Sequence, residues 1–167
     1  MEESCPMKHL HSYWRMEYIK APKPLNNDQK LFSNLPKTEN DEEALILFRS
    51  EYSYIVLNRY PYNAGHLLVV PYREVPSLKE LPPEELSDLM NMVIKSQDIL
   101  DRGIKPHGFN IGFNIGAASG AGIPQHLHCH IVPRWSGDTN FMPVLSNTKV
   151  LPECLKTMWR HLHAFVD

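Results

Sequence analysis

The stretch Gln125-His126-Leu127-His128-Cys129-His130-Ile131-Val132-Pro133 decides the fold of this chain. Its histidines alternate with apolar residues at a period of two, which is the period of a β-strand. On a strand, the imidazoles would face one side, while Leu127, Cys129 and Ile131 would face the core. Histidine is an uncommon residue, so chance is a poor explanation for the pattern. The stretch therefore predicts a strand with imidazoles on one face and apolar side chains on the other.

Three interpretations of the histidine face compete. The first is a solvated strand surface that is rich in histidine. The second is a metal site, because histidines two residues apart on a strand can share a metal, but no nearby Asp, Glu or Cys completes a ligand set. The third is nucleophilic catalysis, in which a neutral imidazole attacks phosphorus and its neighbours orient it, donate a proton or stabilise charge. We favour the third.

Composition limits the class of protein. The chain has 167 residues, 43% hydrophobic and 22% charged, which is typical of one soluble globular domain. A net charge of -2 argues against broad electrostatic binding to nucleic acid or to an anionic membrane. The start Met-Glu-Glu lacks the features of a secretory signal, and no run is long enough for a membrane span. Cys5, Cys129 and Cys154 are widely separated, which favours reduced thiols in a cytoplasmic protein.

Short apolar runs predict an antiparallel meander in the middle of the chain. They cover residues 44–48, 54–58 and 66–70, and a turn at residues 60–65 separates the last two. Residues 1–43 contain an aromatic segment followed by a polar stretch with several prolines. We therefore interpret them as an N-terminal arm and surface excursion. We assign residues 44–167 to a single domain.

Two segments have a helical period. In residues 83–102 the apolar positions step by three or four, and Gly103 is expected to end the helix. The predicted apolar stripe consists of Leu86, Leu89, Met90, Val93, Ile94 and Leu100, and only Gln97 breaks it. Residues 152–165 predict a second helix that packs through Leu155, Met158, Trp159 and Leu162.

Residues 108–116 alternate strictly and predict another strand. Phe109, Ile111, Phe113 and Ile115 would form the core face, and the opposite face carries Asn110, Gly112, Asn114 and Gly116. Residues 117–122 then supply only small side chains. Such a loop leaves room for a phosphate, but it lacks the Walker lysine and the dinucleotide-binding glycine spacing.

These motifs resemble those of the histidine-triad family. Residues 126–132 fit the pattern His-φ-His-φ-His-φ-φ, in which φ is apolar. Residues 57–71 are similar to the first strand pair of the family, and residues 110–116 are similar to the strand before the triad. Residues 133–141 are similar to the bacterial branch that includes diadenosine tetraphosphate phosphorylases. The resemblance covers the chain from about residue 44 onward.

The resemblance implies a fold and a set of catalytic roles. The fold would be α+β, a histidine-triad-like antiparallel sheet with flanking helices, and two subunits would pair as a homodimer. His128 would form a covalent nucleotidyl intermediate, with His126 and His130 on either side of it. His130 would lie near the α-phosphate and the leaving-group oxygen. His66 would support the triad from behind through a hydrogen bond.

Further positions are assigned to nucleotide binding. The resemblance places Asn58 at the ribose hydroxyls and Asn114 at the α-phosphate. Backbone N–H groups of the small-residue loop are candidates for holding phosphate oxygens. Trp135 and the tyrosines near residue 60 are candidates for walls of the nucleotide site. The loop positions that we include are Ser119, Gly120 and Gly122.

Some positions depart from the family pattern. Many bacterial relatives carry a Cys-x-x-Cys zinc pair, but residues 30–33 here read Lys-Leu-Phe-Ser, and Glu74 replaces a later histidine. We therefore predict no structural zinc and no required cofactor, with Mg²⁺ entering only as an ion carried by a polyphosphate. Gly122 and Gln125 replace a serine and an acidic residue of the phosphorylase relatives. These changes leave open whether phosphate or water is the acceptor.

The sequence thus predicts a nucleotidyl hydrolase or transferase that acts on dinucleoside polyphosphates, with diadenosine tetraphosphate as the first candidate. One alternative is a nucleoside phosphoramidate hydrolase with the same nucleophile. A second alternative, from another class, is a non-catalytic nucleotide-binding sensor that kept the fold. The only partners expected are a nucleotide substrate and a second copy of the chain.

Overall fold

Within the part of the chain that the structure describes, a five-stranded antiparallel sheet forms the centre of the fold. The computed structural model describes residues 30–139 and 153–167, so the predicted aromatic segment near the N-terminus lies outside it. The strands are β1 (Ile46–Arg49), β2 (Ser53–Leu57), β3 (Leu67–Pro71), β4 (Gly108–Phe113) and β5 (Cys129–Arg134). They lie in the sheet in the order β1-β2-β3-β5-β4. The predicted meander is confirmed, as is the α+β class.

Two short helices, α1 (Leu31–Asn34) and α2 (Asp41–Ala44), precede the sheet. The side chain of Asn40 caps α2 by accepting a hydrogen bond from the backbone N–H of Glu43. Leu45 then turns the chain in the left-handed conformation, so β1 begins two residues later than the apolar run suggested. Phe32 and Ala44 are buried in the same core as the sheet.

The long helix α3 (Pro83–Ile104) packs against β2 and β3. Its predicted stripe is wrong at Met90 and Ile94, which are exposed, and the buried face is rotated toward Met92, Ser96 and Ile99. The helix also continues past the predicted end. Its buried positions are Glu85, Leu89, Met92, Val93, Ser96, Ile99 and Leu100.

Gly103 does not end α3. The helix runs through Ile104, and Lys105 ends it in the left-handed conformation. A Cβ on Gly103 would stand 2.9 Å from the Leu162 side chain. The glycine therefore permits close packing of the C-terminal helix α4 (Leu155–His163), which buries Met158, Trp159 and Leu162 as predicted.

Strand β4 lies at the edge of the sheet and pairs with β5 from Gly108 to Phe113. Phe109 and Phe113 pack against the core, as predicted. Ile111 and Ile115 are exposed, so the prediction of one continuous core face is wrong at these positions. The central strands β3 and β5 are neighbours, and Leu68 of β3 stands opposite His130 of β5. This pairing places the histidine segment in the middle of the sheet.

Candidate active site

The histidine segment enters the sheet partway along its length, at Cys129. His130 lies in β5, whereas His126 and His128 precede the strand, so the expectation of one strand carrying all the imidazoles is wrong. The intervening residues Leu127, Cys129 and Ile131 are buried, as the alternation predicted. A bond of 2.7 Å from the Leu127 N–H to the Val75 carbonyl holds the chain before β5.

His128 is held in one tautomer by its own backbone. Its Nδ1 lies 2.8 Å from the carbonyl oxygen of His126, and because a carbonyl only accepts, Nδ1 carries the proton. The neutral ring then has its lone pair on Nε2. The side chain is buried, and burial lowers the pKa of His128, so the ring is neutral at neutral pH. A neutral imidazole with a free Nε2 lone pair is a nucleophile.

His126 is oriented in a similar way. Its Nε2 donates to the carbonyl oxygen of Pro71 at 2.8 Å, which leaves Nδ1 as the acceptor in the neutral ring. Burial lowers the pKa of His126 as well. The hydroxyl of Ser33 lies 3.5 Å from that Nδ1 and donates to Glu74 at 3.0 Å. His126 thus serves through its backbone carbonyl, which sets the tautomer of His128.

A second chain of hydrogen bonds ends at His130. The backbone N–H of Tyr62 donates to Nδ1 of His66 at 3.0 Å, so the proton of His66 lies on Nε2. That Nε2 stands 3.0 Å from Nδ1 of His130 and donates to it. Nδ1 of His130 is therefore an acceptor, and the neutral ring keeps its proton on Nε2. The rings of His128 and His130 have centroids 4.9 Å apart.

The position of His66 follows from the β2–β3 hairpin. The Asn58 N–H donates to the His66 carbonyl at 2.9 Å and closes the hairpin. Gly65 precedes His66 with a φ of 70°, and a Cβ there would stand 2.5 Å from Ile104. The amide Nδ2 of Asn58 lies 3.3 Å from Nδ1 of His66. This predicted ribose-binding residue therefore contacts the hydrogen-bond chain that ends at His130.

The other predicted nucleotide-binding residues lie in two parts of the chain: the end of β4 with the loop that follows it, and the segment after β5. Extending the β4–β5 register by two residues from the Gly112–His130 pair puts Asn114 opposite His128. The loop with Ser119, Gly120 and Gly122 lies between β4 and the triad and is exposed. Ser119 is held by its hydroxyl, which donates to the Gly116 carbonyl at 2.7 Å. Asn114 is thus placed beside the triad by strand register, and contact of Asn114 and the loop residues with a nucleotide stays a prediction.

Trp135 lies elsewhere. It follows β5 and lines a cavity of about 440 Å³ together with Asn63, Asp138 and Met158. Trp135 lies five positions after His130, which corresponds to about 16 Å along an extended chain at strand spacing. The residues that line this cavity include His161 but none of His126, His128 and His130. A contact between Trp135 and a nucleotide stays a prediction.

Two residues near the histidines were not singled out by the sequence for contact with them. Phe32 of α1 packs on the rings of both His126 and His128. Tyr62 stacks on His130 with centroids 5.5 Å apart and planes 13° apart. Tyr62 belonged to the tyrosines considered as nucleotide walls, but Phe32 lay in the region interpreted as a surface excursion. The sequence signal available for Phe32 was its position as a single aromatic residue in a polar segment.

Zinc would find a poor set of ligands beside His126. The structure brings Ser33 and Glu74 to this ring, but a serine hydroxyl is not a typical zinc ligand. Over residues 30–139 and 153–167, no group of three His, Cys, Asp or Glu side chains could hold a metal ion. In that part of the chain, none of the helices combines the length and the apolar character of a membrane span.

Comparison with known proteins identifies the family. A family model described as the HIT domain matches residues 38–137. The chain is 39% identical over 163 residues to a protein named AP-4-A phosphorylase from Mycobacterium tuberculosis, with 93% of this chain and 83% of the relative covered. The chain thus belongs to the HIT, or histidine-triad, family.

Two further relatives agree with this assignment. A bis(5'-nucleosyl)-tetraphosphatase (asymmetrical) from Schizosaccharomyces pombe is 39% identical over 93 residues, which cover 56% of this chain and 50% of the relative. The crystal structure of a histidine triad nucleotide-binding protein from Sulfolobus tokodaii matches with a TM-score of 0.62 and 26% identity, over 81% of this chain and 87% of that chain. The structural match confirms the predicted histidine-triad-like fold.

Proposed function

We propose that this chain cleaves dinucleoside polyphosphates, with diadenosine tetraphosphate as the first candidate, through a nucleotidyl intermediate on His128. The observation that carries the proposal is the tautomer of His128. The 2.8 Å bond from Nδ1 to the His126 carbonyl leaves the lone pair on Nε2 of a buried, neutral ring. The names of the relatives from M. tuberculosis and S. pombe support the substrate class.

In the first step, Nε2 of His128 attacks the α-phosphorus. A P–N bond forms while the P–O bond to the leaving nucleotide breaks, and for diadenosine tetraphosphate that nucleotide is ATP. The ring of His128 becomes positive, because Nδ1 keeps its proton. The carbonyl of His126 then holds a charged donor, and a hydrogen bond to a charged donor is stronger than a neutral one.

His130 supplies the matching group for the leaving oxygen. The bond from His66 to Nδ1 of His130 leaves the proton of the neutral ring on Nε2. This N–H stabilises negative charge on the leaving oxygen or on the α-phosphate. Asn58 and Asn114 hold the ribose hydroxyls and the α-phosphate, and the loop N–H groups of Ser119, Gly120 and Gly122 hold phosphate oxygens.

In the second step, an acceptor oxygen attacks the same phosphorus, the P–N bond breaks and neutral His128 returns. Inorganic phosphate as acceptor yields ADP, and water yields AMP. The relative that is 39% identical over 93% of this chain is named a phosphorylase, which favours phosphate. Gly122 and Gln125 depart from the residues of phosphorylase relatives, so the products decide between the two acceptors.

No resident cofactor is needed for these steps, and Mg²⁺ enters only with the polyphosphate. The cytoplasm is the proposed compartment, because Cys129 and Cys154 are free thiols. Burial raises the pKa of Cys129 to about 12, so this thiol is inert. No nucleic acid or membrane partner is proposed.

We also propose a homodimer that forms through β4. This strand ends the sheet, and edge strands with unpaired backbone groups pair readily with another strand. Ile111 and Ile115 are exposed along it or just beyond it. A cyclic dimer brings the same strand of each copy together, and antiparallel pairing of β4 with itself satisfies that symmetry.

The experiment incubates the protein with diadenosine tetraphosphate, with and without inorganic phosphate, and separates the nucleotides by chromatography. ADP with ATP, formed only when phosphate is present, identifies a phosphorylase. AMP with ATP in both buffers identifies a hydrolase. His128→Ala should form neither product, and His107→Ala, which changes an exposed histidine bonded to Ser136, should retain activity.

The alternatives give different results in the same assay. A phosphoramidate hydrolase would turn over an adenosine phosphoramidate and leave the dinucleotide largely intact. A sensor protein would bind AMP and form no product from either compound. Equal product from His128→Ala and from the unchanged protein would contradict the proposed mechanism.

A further inference from the structure

Phe32 makes an aromatic contact with two members of the triad. Its ring centroid lies 5.6 Å from that of His126 with planes 80° apart, an edge-on arrangement. The centroid of His128 lies 5.0 Å away with planes 49° apart. Phe32 itself is 5% exposed, so its ring excludes water from the sides of the histidines that it covers.

The backbone of Phe32 is anchored in the core. Its carbonyl oxygen accepts a hydrogen bond of 2.7 Å from the hydroxyl of Tyr54. Tyr54 is fully buried in β2, and burial raises the pKa of its phenol, so the hydroxyl keeps its proton. Ser33, the next residue, contacts His126. Helix α1 is thus attached to the core at Phe32 and to the triad at Ser33.

We propose that Phe32 is a positioning residue for the nucleophile: its anchored ring holds His128 in the orientation in which Nδ1 donates to the His126 carbonyl and Nε2 carries the lone pair. This inference rests on the proposed function, in which His128 attacks phosphorus. Phe32 acts through His128, because it packs against that ring and has no polar side-chain atom to touch the reacting groups.

The ring also separates His128 from solvent, which keeps the imidazole neutral. The titratable neighbours of His128 are His126 and His130, from its own segment and β5. Glu74, from the loop after β3, acts on His126. Phe32 adds no charge to this group, so its removal should act through hydration and orientation alone.

The test compares Phe32→Ala with Phe32→Leu, which retains an apolar side chain of similar bulk. The pKa and the tautomer of His128 are measured by NMR titration with labelled histidine, and the pH profile of kcat/KM is measured with diadenosine tetraphosphate. Phe32→Ala should raise the pKa of His128 by about one unit, which lowers kcat/KM at acidic pH about 10-fold. Phe32→Leu should keep most of the original pKa.

Leu162→Ala is the matched control for lost stability. Leu162 is fully buried in α4 and packs near Gly103 of α3, rather than against Phe32 or the triad. This variant should leave the pKa and tautomer of His128 unchanged. An unchanged pKa and pH profile in Phe32→Ala would overturn the proposal, and so would an equal shift in Leu162→Ala. If no variant turns over the dinucleotide, the proposed function fails, while the NMR titration still decides the role of Phe32.

Discussion

The Nε2 of His66 lies 3.0 Å from Nδ1 of His130, and this pair determines where His130 carries its proton. His66 is fully buried, and its own Nδ1 already accepts from the backbone of Tyr62. The donor and acceptor roles in the chain are therefore set by a backbone N–H, a group that cannot change its role. His128 is held in the opposite way, because a backbone carbonyl accepts from its Nδ1 and thereby determines where its proton lies. Two fixed backbone groups thus give the two catalytic rings complementary roles.

Replacing His66 should impair turnover more than binding. His66→Ala leaves Nδ1 of His130 without its donor, and a lost buried hydrogen bond costs about 1–3 kcal/mol. We expect kcat to fall about 10- to 100-fold with little change in KM. His66→Gln, whose amide can donate to the same nitrogen, should recover part of the loss. Steady-state kinetics test this, and equal kcat values for the unchanged protein and His66→Ala would contradict it.

The pH dependence should reflect the buried nucleophile. Burial lowers the pKa of His128, so its neutral form persists to a lower pH than that of an ordinary histidine. The acid limb of kcat/KM should therefore have an apparent pKa below the usual value of about 6.5. A pH profile of the hydrolysis or phosphorolysis rate measures this limb. An acid limb above that value would contradict a lowered pKa of His128.

Purified protein should contain no stoichiometric zinc. Ser33 and Glu74 are hydrogen bonded to each other beside His126, and a serine hydroxyl is a poor substitute for a zinc-binding thiolate. Elemental analysis after exposure to excess zinc and gel filtration measures the content. A full equivalent of zinc that is lost in Ser33→Ala would contradict the prediction and place a metal at this corner of the site.

The dimer should depend on β4. Ile111→Lys puts a charge on an exposed edge residue, and a charged edge strand resists pairing with another copy. Light scattering should give twice the chain mass of 19.3 kDa for the unchanged protein and a single chain mass for the variant. Ile94→Lys, on the exposed face of α3, is the control and should remain dimeric. A monomeric unchanged protein would contradict the proposal.

The sequence predicted the parts of the site that depend on local alternation. The period of two in the histidine segment correctly predicted that Leu127, Cys129 and Ile131 are buried. It could not show that the strand begins only at Cys129, because this boundary depends on pairing with β3 and β4. The hairpin that positions His66 was also predictable, since two apolar runs flank a turn.

Other features depend on tertiary contacts that no local period contains. The buried face of α3 is rotated away from Met90 and Ile94, because the sheet and α4 both pack on this helix. Gly103 serves close packing with Leu162 rather than termination. The role of Phe32 arises from a helix of only four residues whose position is set by Tyr54, far along the chain.

The most direct test of the account is detection of the covalent intermediate. The protein is mixed with diadenosine tetraphosphate, quenched with base because a phosphorus–nitrogen bond to histidine is labile in acid, and examined by mass spectrometry with peptide mapping. The account predicts a mass increase of one adenylyl group on His128 that is absent from His128→Ala and present in His107→Ala. An adenylyl group on another residue, or turnover of the dinucleotide without any adduct in rapidly quenched samples, would contradict the central claim.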